Sequence, residues 1–382
     1  MWGVADLPLH EGRVPSWLLN VMKRMTRAIV KLVVLEKGPP YLLKRLSNPL
    51  WFQALNNAIG MDWDSSGSTT VTTAILREVL AWENLGVWVA GGKGTRSTAV
   101  PREIDMLVDR GLIRFSTRNE LVRISKLAAK TDSALLQDGF SLYHHIIVFD
   151  GKGSWVVIQQ GMNSSERIAR RYHLSWERAD SGDVTIEPHS GALCEKTTLP
   201  LNLSDRGSLK SRKVILDLVR ERPTKIAKYL HVVNAVIRGY KPLFGELPRP
   251  IVAEIPYYRP VKLTERLLKI LNEAYEVSPS SFSELLHETR AGPETLRALS
   301  LISELVYREP PPLRDIEVYS PFKYAYTIGG KDGVPYPVKK KLAEEVLSEL
   351  YEIVRSAELG YKDKLRAFRS LSKLAPPDIA PI

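Results

Sequence analysis

Residues 140–173 read FSLYHHIIVFDGKGSWVVIQQGMNSSERIARRYH, and this stretch decides the fold class. Two apolar runs flank Asp150-Gly151-Lys152-Gly153, which predicts a β-hairpin. A two- or four-residue loop pairs Phe149 with Ser154, setting His144 opposite Gln159 and Tyr143 opposite Gln160. Neighbouring side chains on a strand point to opposite faces, so His144 and His145 cannot serve one site. Asn163 followed by Glu166 matches a capping box and predicts a helix after the hairpin. That helix carries Arg167, Arg170 and Arg171 on one side, with His173 following Arg170. Four of the seven histidines fall at 144, 145, 173 and 189, close in sequence to Gln137, Gln159 and Gln160. Polar groups on apolar strands must find partners when buried, so a polar site is expected here.

Working outward, the N-terminal side reads as helical. Trp17 to about Glu36 has apolar residues at helical spacing, and KGPP breaks the run. Asn48-Pro49 leads into a short apolar helix, and a Ser/Thr-capped helix follows from about Ser68 or Thr69. LGVWVAGGKG reads as a short strand ending in a glycine loop, ahead of helices near 101–111 and 118–131. The proline-rich stretch 246–262 reads as a linker, and 263–374 as mostly helical. The expected architecture is α+β, dominated by helices. An N-terminal domain of residues 1–200 holds the hairpin or a small antiparallel sheet. A basic segment 201–245, the linker and a helical domain 263–382 follow.

The chain has 382 residues, 44% of them hydrophobic, enough for more than one core. No apolar run reaches the ~18 residues of a membrane span. The first residues lack the basic flank and apolar centre of a signal peptide, so a cytoplasmic protein is expected. Cys194 is the only cysteine, which excludes an intrachain disulfide and any Cys-based zinc site. The net charge of +11 favours a polyanionic partner. Between Asp205 and Lys241, ten Lys and Arg face three acids, a net of +7. A concentrated patch suits phosphate contact.

DLPLHEGRVPSW, NPLWFQAL, GMDWDSSGSTT, VAGGKG, ALLQDGFSLYHH, VVIQQGMN, ARRYH, EPHSG and GGKDGVPYPV occur in this order. With them the chain resembles the prokaryotic family catalogued as domain of unknown function 763. The resemblance spans most of the chain and brings no activity with it. The family pattern has a histidine after the Asp-Trp pair, where this chain has Asp64. A second resemblance covers 282–307. SELLHETRAGPETLRALSLISELVY is similar to the helix-hairpin-helix of DNA-repair proteins, which aims backbone N–H groups at a DNA phosphate. Gly292 and Thr295 fit its second half, and Arg290 replaces the first glycine of its turn. Glu294 stands where lyase members of that class carry a lysine, and Asp315 or Asp332 could supply the aspartate expected after the second helix.

Several chemistries compete. His10, His144, His173 and His189 with Asp132 or Asp138 could bind a metal, although no His-x-x-x-His spacing supports it. No cofactor is therefore expected, with a divalent metal as the alternative. Lys93 or Lys130 could act as an amine nucleophile if desolvated. Gly91, Gly92 and Gly94 could cradle a phosphate, though the P-loop spacing is absent. Lys331 and Asp332 sit between glycines in a loop with nearby tyrosines.

The leading expectation is a DNA-binding protein, a repair enzyme of the glycosylase or abasic-site lyase kind. Its candidate catalytic residues are Lys130, Asp132, Asp138, His144, His173 and Asp332. Lys93, Gln159, Gln160, Arg167, Arg170 and Arg171 would contact nucleic acid, as would Lys210, Arg212 and Lys213. Arg290, Gly292, Thr295 and Lys331 complete that set. The alternatives are a metal-dependent nuclease or hydrolase and a non-catalytic RNA- or ribosome-binding protein.

Overall fold

The structure, a computed structural model, describes residues 15–61, 66–179, 182–194, 196–241, 245–319 and 340–372. Four helices open the chain: α1 (Ser16–Lys37), α2 (Pro39–Ser47), α3 (Pro49–Ala58) and α4 (Gly67–Glu83). Local chemistry sets their ends. Gly38, at φ 85°, closes α1 by donating to Val34 O, and prolines then open α2. Asn48 Oδ1 accepts from the N–H groups of Leu50 and Trp51 and caps α3. Strand β1 (Trp88–Lys93) and helices α5 (Val100–Asp109) and α6 (Phe115–Lys130) follow.

One wide π-turn, Thr131–Leu135, ends α6. After it come β2 (Leu136–Gln137), β3 (Ser141–Phe149), β4 (Trp155–Asn163), β5 (Ile168–Ser175), β6 (His189–Leu193) and β7 (Leu201–Asn202). Helices α7 (Leu209–Val219), α8 (Pro223–Ile237), α9 (Glu265–Val277), α10 (Phe282–Glu288) and α11 (Pro293–Leu305) succeed them. Strand β8 (Val318–Tyr319) and helices α12 (Lys340–Ser356) and α13 (Tyr361–Ser372) complete the described chain. The class is α+β and mostly helical.

Six strands form one mixed sheet in the order β1-β3-β4-β5-β6-β8, antiparallel except for the β6–β8 pair. β2 and β7 form a separate short pair. Both faces of the large sheet are covered. Ile147, Phe149, Val157, Tyr172 and Leu174 belong to a core that also takes in residues of α5, α6 and α7 to α11. Ile146, Val148, Val156 and Ile158 belong to the opposite core, with α1 to α4, α12 and α13. Tyr257, Tyr258 and Val261 are buried in the first core, and Arg249 pairs with Glu304, so the proline-rich stretch packs onto the body.

Two expectations about the central strands are corrected. The hairpin pairs Phe149 with Trp155, so His144 faces Gln160 and His145 faces Gln159. Asp150 Oδ1 accepts from Lys152 N and Ser154 N, and this organises a longer turn than the glycines suggested. The expected arginine-rich helix is strand β5. Asn163 does cap, accepting from Ser165 N and Glu166 N, but it closes the tight turn between β4 and β5. Arg170 and Arg171 therefore point to opposite faces, both fully buried, while Arg167 stays exposed in the turn at φ 58°. A strand buried on both sides shows no simple alternation of polar and apolar residues, so its pattern resembled a helix.

Candidate functional site

Strand pairing draws four of the sequence candidates into one row. Lys93 on β1 pairs with His144 on β3, His144 with Gln160 on β4, and Gln160 with Arg171 on β5. Directly paired residues share a face. The row thus runs across the sheet on the side covered by α2, α3 and α4, with Lys93 exposed at one end and the other three buried.

The helices above the row contribute polar groups of their own. Thr73 Oγ1 donates to Thr69 O and also lies 3.1 Å from His144 Nε2. The two share one hydrogen bond, and His144 Nδ1 is buried with no partner. Burial, with Lys93 and His145 nearby, pushes its pKa down to about 3, so the ring is neutral. Ser68 Oγ and Thr72 Oγ1 on α4 are buried and unpartnered.

Gln160 is the most exceptional member of the row. It is fully buried, and neither amide atom has a hydrogen-bond partner. Leaving a buried polar group unpaired costs about 1–3 kcal/mol. Its sequence neighbour Gln159, facing the opposite way, is fully used. Gln159 Nε2 donates to Asp132 Oδ2 (2.5 Å) and Ala128 O (3.1 Å), and its Oε1 lies 2.8 Å from His145 Nδ1.

Arg171 is equally buried. Its Nε donates to His173 Nε2 at 3.0 Å, and His173 Nδ1 in turn donates to Leu46 O at 2.9 Å. His173 is thereby a neutral ring, held so by burial and by the adjacent guanidinium. The remaining Arg171 nitrogens meet neutral acceptors, namely Thr69 Oγ1, Pro49 O and Gln53 Oε1. The guanidinium lies 4.5 Å from the centre of the Phe52 ring. Among the described residues no carboxylate pairs with it, and burial lowers its pKa to about 9. It is charged at neutral pH.

The opposite face holds two networks built on carboxylates, in which His189 Nδ1 and Arg170 Nε keep no hydrogen-bond partner. Asp132, turned inward by the π-turn, takes His189 Nε2 at 2.5 Å on one oxygen and Gln159 on the other. His145 passes this chain on to Ser125 Oγ, 2.7 Å away. Asp138 accepts from Arg170 (2.8 Å) and Tyr172 OH (2.7 Å), and Arg170 also meets Asp315 at 2.8 Å. Burial pushes Asp138 up to about 6, so it is ionised at neutral pH. Burial opposes the Arg170 charge, but Asp138, Tyr172 and Asp315 outweigh it and raise its pKa. Asp132, Asp138, Gln159 and Arg170 are thus separated from the His144 row by the sheet.

Other sequence candidates lie elsewhere. Lys130 donates to Ala291 O at 2.5 Å, on the α10–α11 turn, and its pKa is lowered by burial and by Lys126. Lys210 and Lys213 are exposed on α7. Arg212 is not available to a phosphate. It is buried over Phe282 and donates to Thr185 O and Oγ1. Arg290 is exposed and pairs with Glu273, while Gly292 precedes α11 and Thr295 is buried. Gly91 N donates to Glu103 Oε2, so one expected phosphate-cradling N–H is already occupied by a carboxylate. His10, Lys331 and Asp332 lie outside the described residues. Among the described residues no group of three His, Cys, Asp or Glu could hold a metal ion, and no helix is long and apolar enough to cross a membrane.

The sequence reading missed Gln53, Ser68, Thr69, Thr72 and Thr73. Their signal was polar residues repeating three and four apart on helices that are otherwise apolar.

The fold and this row define a mostly helical α+β protein with a buried polar row, in part without hydrogen-bond partners, against its central sheet. The family described as Protein of unknown function (DUF763) matches residues 3–338, and the chain belongs to it. No curated protein and no solved structure matches the chain.

Proposed function

We propose that this protein binds DNA and acts on an extruded or missing nucleobase, as a glycosylase or abasic-site lyase does. The observation that carries this reading is Gln160, fully buried with a free donor and a free acceptor side by side. A primary amide matches the hydrogen-bonding edge of a nucleobase. Enzymes that read an extruded base do so with such groups in a closed pocket. His144, paired with Gln160 across the strands, keeps Nδ1 without a partner, as the buried hydroxyls of Ser68 and Thr72 on α4 do. Lys93, at the open end of the row, supplies the amine that lyase chemistry needs. The net charge of +11 and the exposed Arg167, Lys210 and Lys213 favour a polyanionic partner.

The test uses EDTA-treated protein on labelled duplexes, either intact or carrying one abasic site. Cleavage at the abasic site, with a covalent adduct trapped by borohydride, supports the lyase form. Salt-sensitive binding without cleavage leaves a nucleic-acid binder. Cleavage only after adding divalent metal favours a metal-dependent nuclease. The absence of both binding and cleavage defeats the proposal.

A further inference from the structure

Beneath the helical layer, the row holds a buried positive charge that has no carboxylate partner among the described residues. Arg171 is wholly inaccessible, and all its acceptors among the described residues are neutral: His173 Nε2, Thr69 Oγ1, Pro49 O and Gln53 Oε1. Arg170, on the far face, has Asp138 and Asp315, and Arg297 has Glu294, whereas Arg212 resembles Arg171 in meeting only neutral acceptors, Thr185 and Leu203. An isolated buried charge is costly, so it persists only where something compensates.

The N-terminal turn of α4 lies against the same row. Thr69 touches Arg171, and Thr73 touches His144. The helix has 17 residues, and Ser66 gives it no side-chain cap. A helix N-terminus carries partial positive charge. Ser68 and Thr72, one helical turn apart on α4, keep buried hydroxyls without partners, and Gln160 keeps its amide free beside Arg171. The positive charge of Arg171, the first turn of α4 and the free amide of Gln160 therefore meet on the same face of the sheet.

We infer that Arg171, the first turn of α4 and Gln160 form an anion site that receives a negatively charged oxygen of the ligand. This deepens the nucleobase reading and rests on it for the identity of the ligand, but the anion site can be tested alone. The negative oxygen has two possible sources. It is either a phosphate group or the ring oxygen of a base that carries negative charge. In the second case the glycosidic bond breaks with its electron pair leaving on the base, water adds to the sugar carbon and loses a proton to solvent, and Arg171 favours the departing anion, because a fixed charge in a dry site acts most strongly where charge develops.

The experiment is thermal unfolding of the full chain with inorganic phosphate and, separately, with barbiturate, an anionic pyrimidine ring at neutral pH. Sodium chloride at matched ionic strength is the reference. A saturable rise in Tm is expected with at least one probe, since a ligand that binds only the folded state stabilises it. A rise with phosphate alone assigns the site to a phosphate group, and one with barbiturate alone assigns it to a base. Arg171→Met should abolish the rise, and Thr72→Val should weaken the apparent affinity about tenfold. If Arg171→Met does not fold, Thr72→Val and Ser68→Ala carry the test. No response beyond chloride, or an undiminished response in these variants, overturns the anion site. Duplex binding measured alongside separates the two ideas: an anion response without DNA binding sinks only the nucleic-acid reading.

Discussion

Arg171 and His173, two positions apart on β5, point to the same face and share a hydrogen bond from the guanidinium Nε to the imidazole Nε2 at 3.0 Å. The imidazole must be unprotonated there to accept, and its Nδ1 proton is committed to Leu46 O. Protonating His173 would bring two positive groups together in a dry site. This pair links the pocket's electrostatics to the stability of the fold.

Stability should therefore fall in mild acid. Burial depresses His144 to about 3 and lowers His145 and His173. A histidine with a depressed folded pKa contributes stability that is complete above the unfolded value of ~6.5 and is lost as pH falls below it. Each costs up to about 1.4 kcal/mol per pH unit in that window. Asp138, raised to about 6, acts in the opposite direction between its unfolded pKa of ~3.9 and that value and softens the loss. Urea midpoints at pH 7.5 and 5.5 check this; equal midpoints would contradict the neutral, buried histidines.

Two adjacent glutamines should respond in opposite ways. Gln159→Leu removes hydrogen bonds to His145, Asp132 and Ala128 and strands those groups, so a loss of about 2–4 kcal/mol is expected. Gln160→Leu removes none, so its stability should be unchanged or raised by about 1 kcal/mol, while DNA processing is lost. Denaturant titration and the abasic-duplex assay read the two effects. A Gln160→Leu protein that is destabilised yet fully active would refute the pocket.

Breaking the Arg170 pair should be severe. Asp138→Ala leaves a buried guanidinium with Asp315 alone and removes the acceptor of Tyr172. About 2–4 kcal/mol is expected, because a buried charge-assisted hydrogen bond to Arg170 is lost and the Tyr172 hydroxyl is left without its acceptor. A shift in urea midpoint under ~1 kcal/mol would mean the pair is accessible to water.

Gly91 tests the strand packing at the start of the row. Its φ is 100°, and a Cβ there would lie 2.3 Å from His145 O. Gly91→Ala should cost about 3 kcal/mol through strain and displaced strands. A thermally neutral variant would show that β1 can move away from β3.

The two candidate lysines are separated by the sheet, and borohydride trapping can distinguish them. Lys93 ends the pocket row, whereas Lys130 supports the α10–α11 turn. Lys93→Ala should remove any trapped adduct and Lys130→Ala should retain it. The reverse result would move the chemistry to the other face.

The sequence by itself determined the mostly helical α+β class, the helix ends at Gly38 and Asn48, the hairpin and the family. Each depends on neighbours in the chain: a proline, a cap, a glycine turn or a run of apolar residues. It also determined that His144 and His145 part company, because side chains alternate along any strand. Only the tertiary structure decided what the polar residues do. Ile168–Ser175 carries the mixed pattern of a strand covered on both sides, which local periodicity cannot distinguish from a helix. The hairpin register follows from the Asp150 turn, and one step of register exchanges the partners of His144. Arg170 has carboxylate partners and Arg171 has none among the described residues, because adjacent residues on a central strand meet different layers of the protein. Sequence supplies both arginines alike; the fold settles what each meets, bringing Asp138 and Asp315 to Arg170 and, from more than a hundred residues away, Pro49 and Gln53 to Arg171.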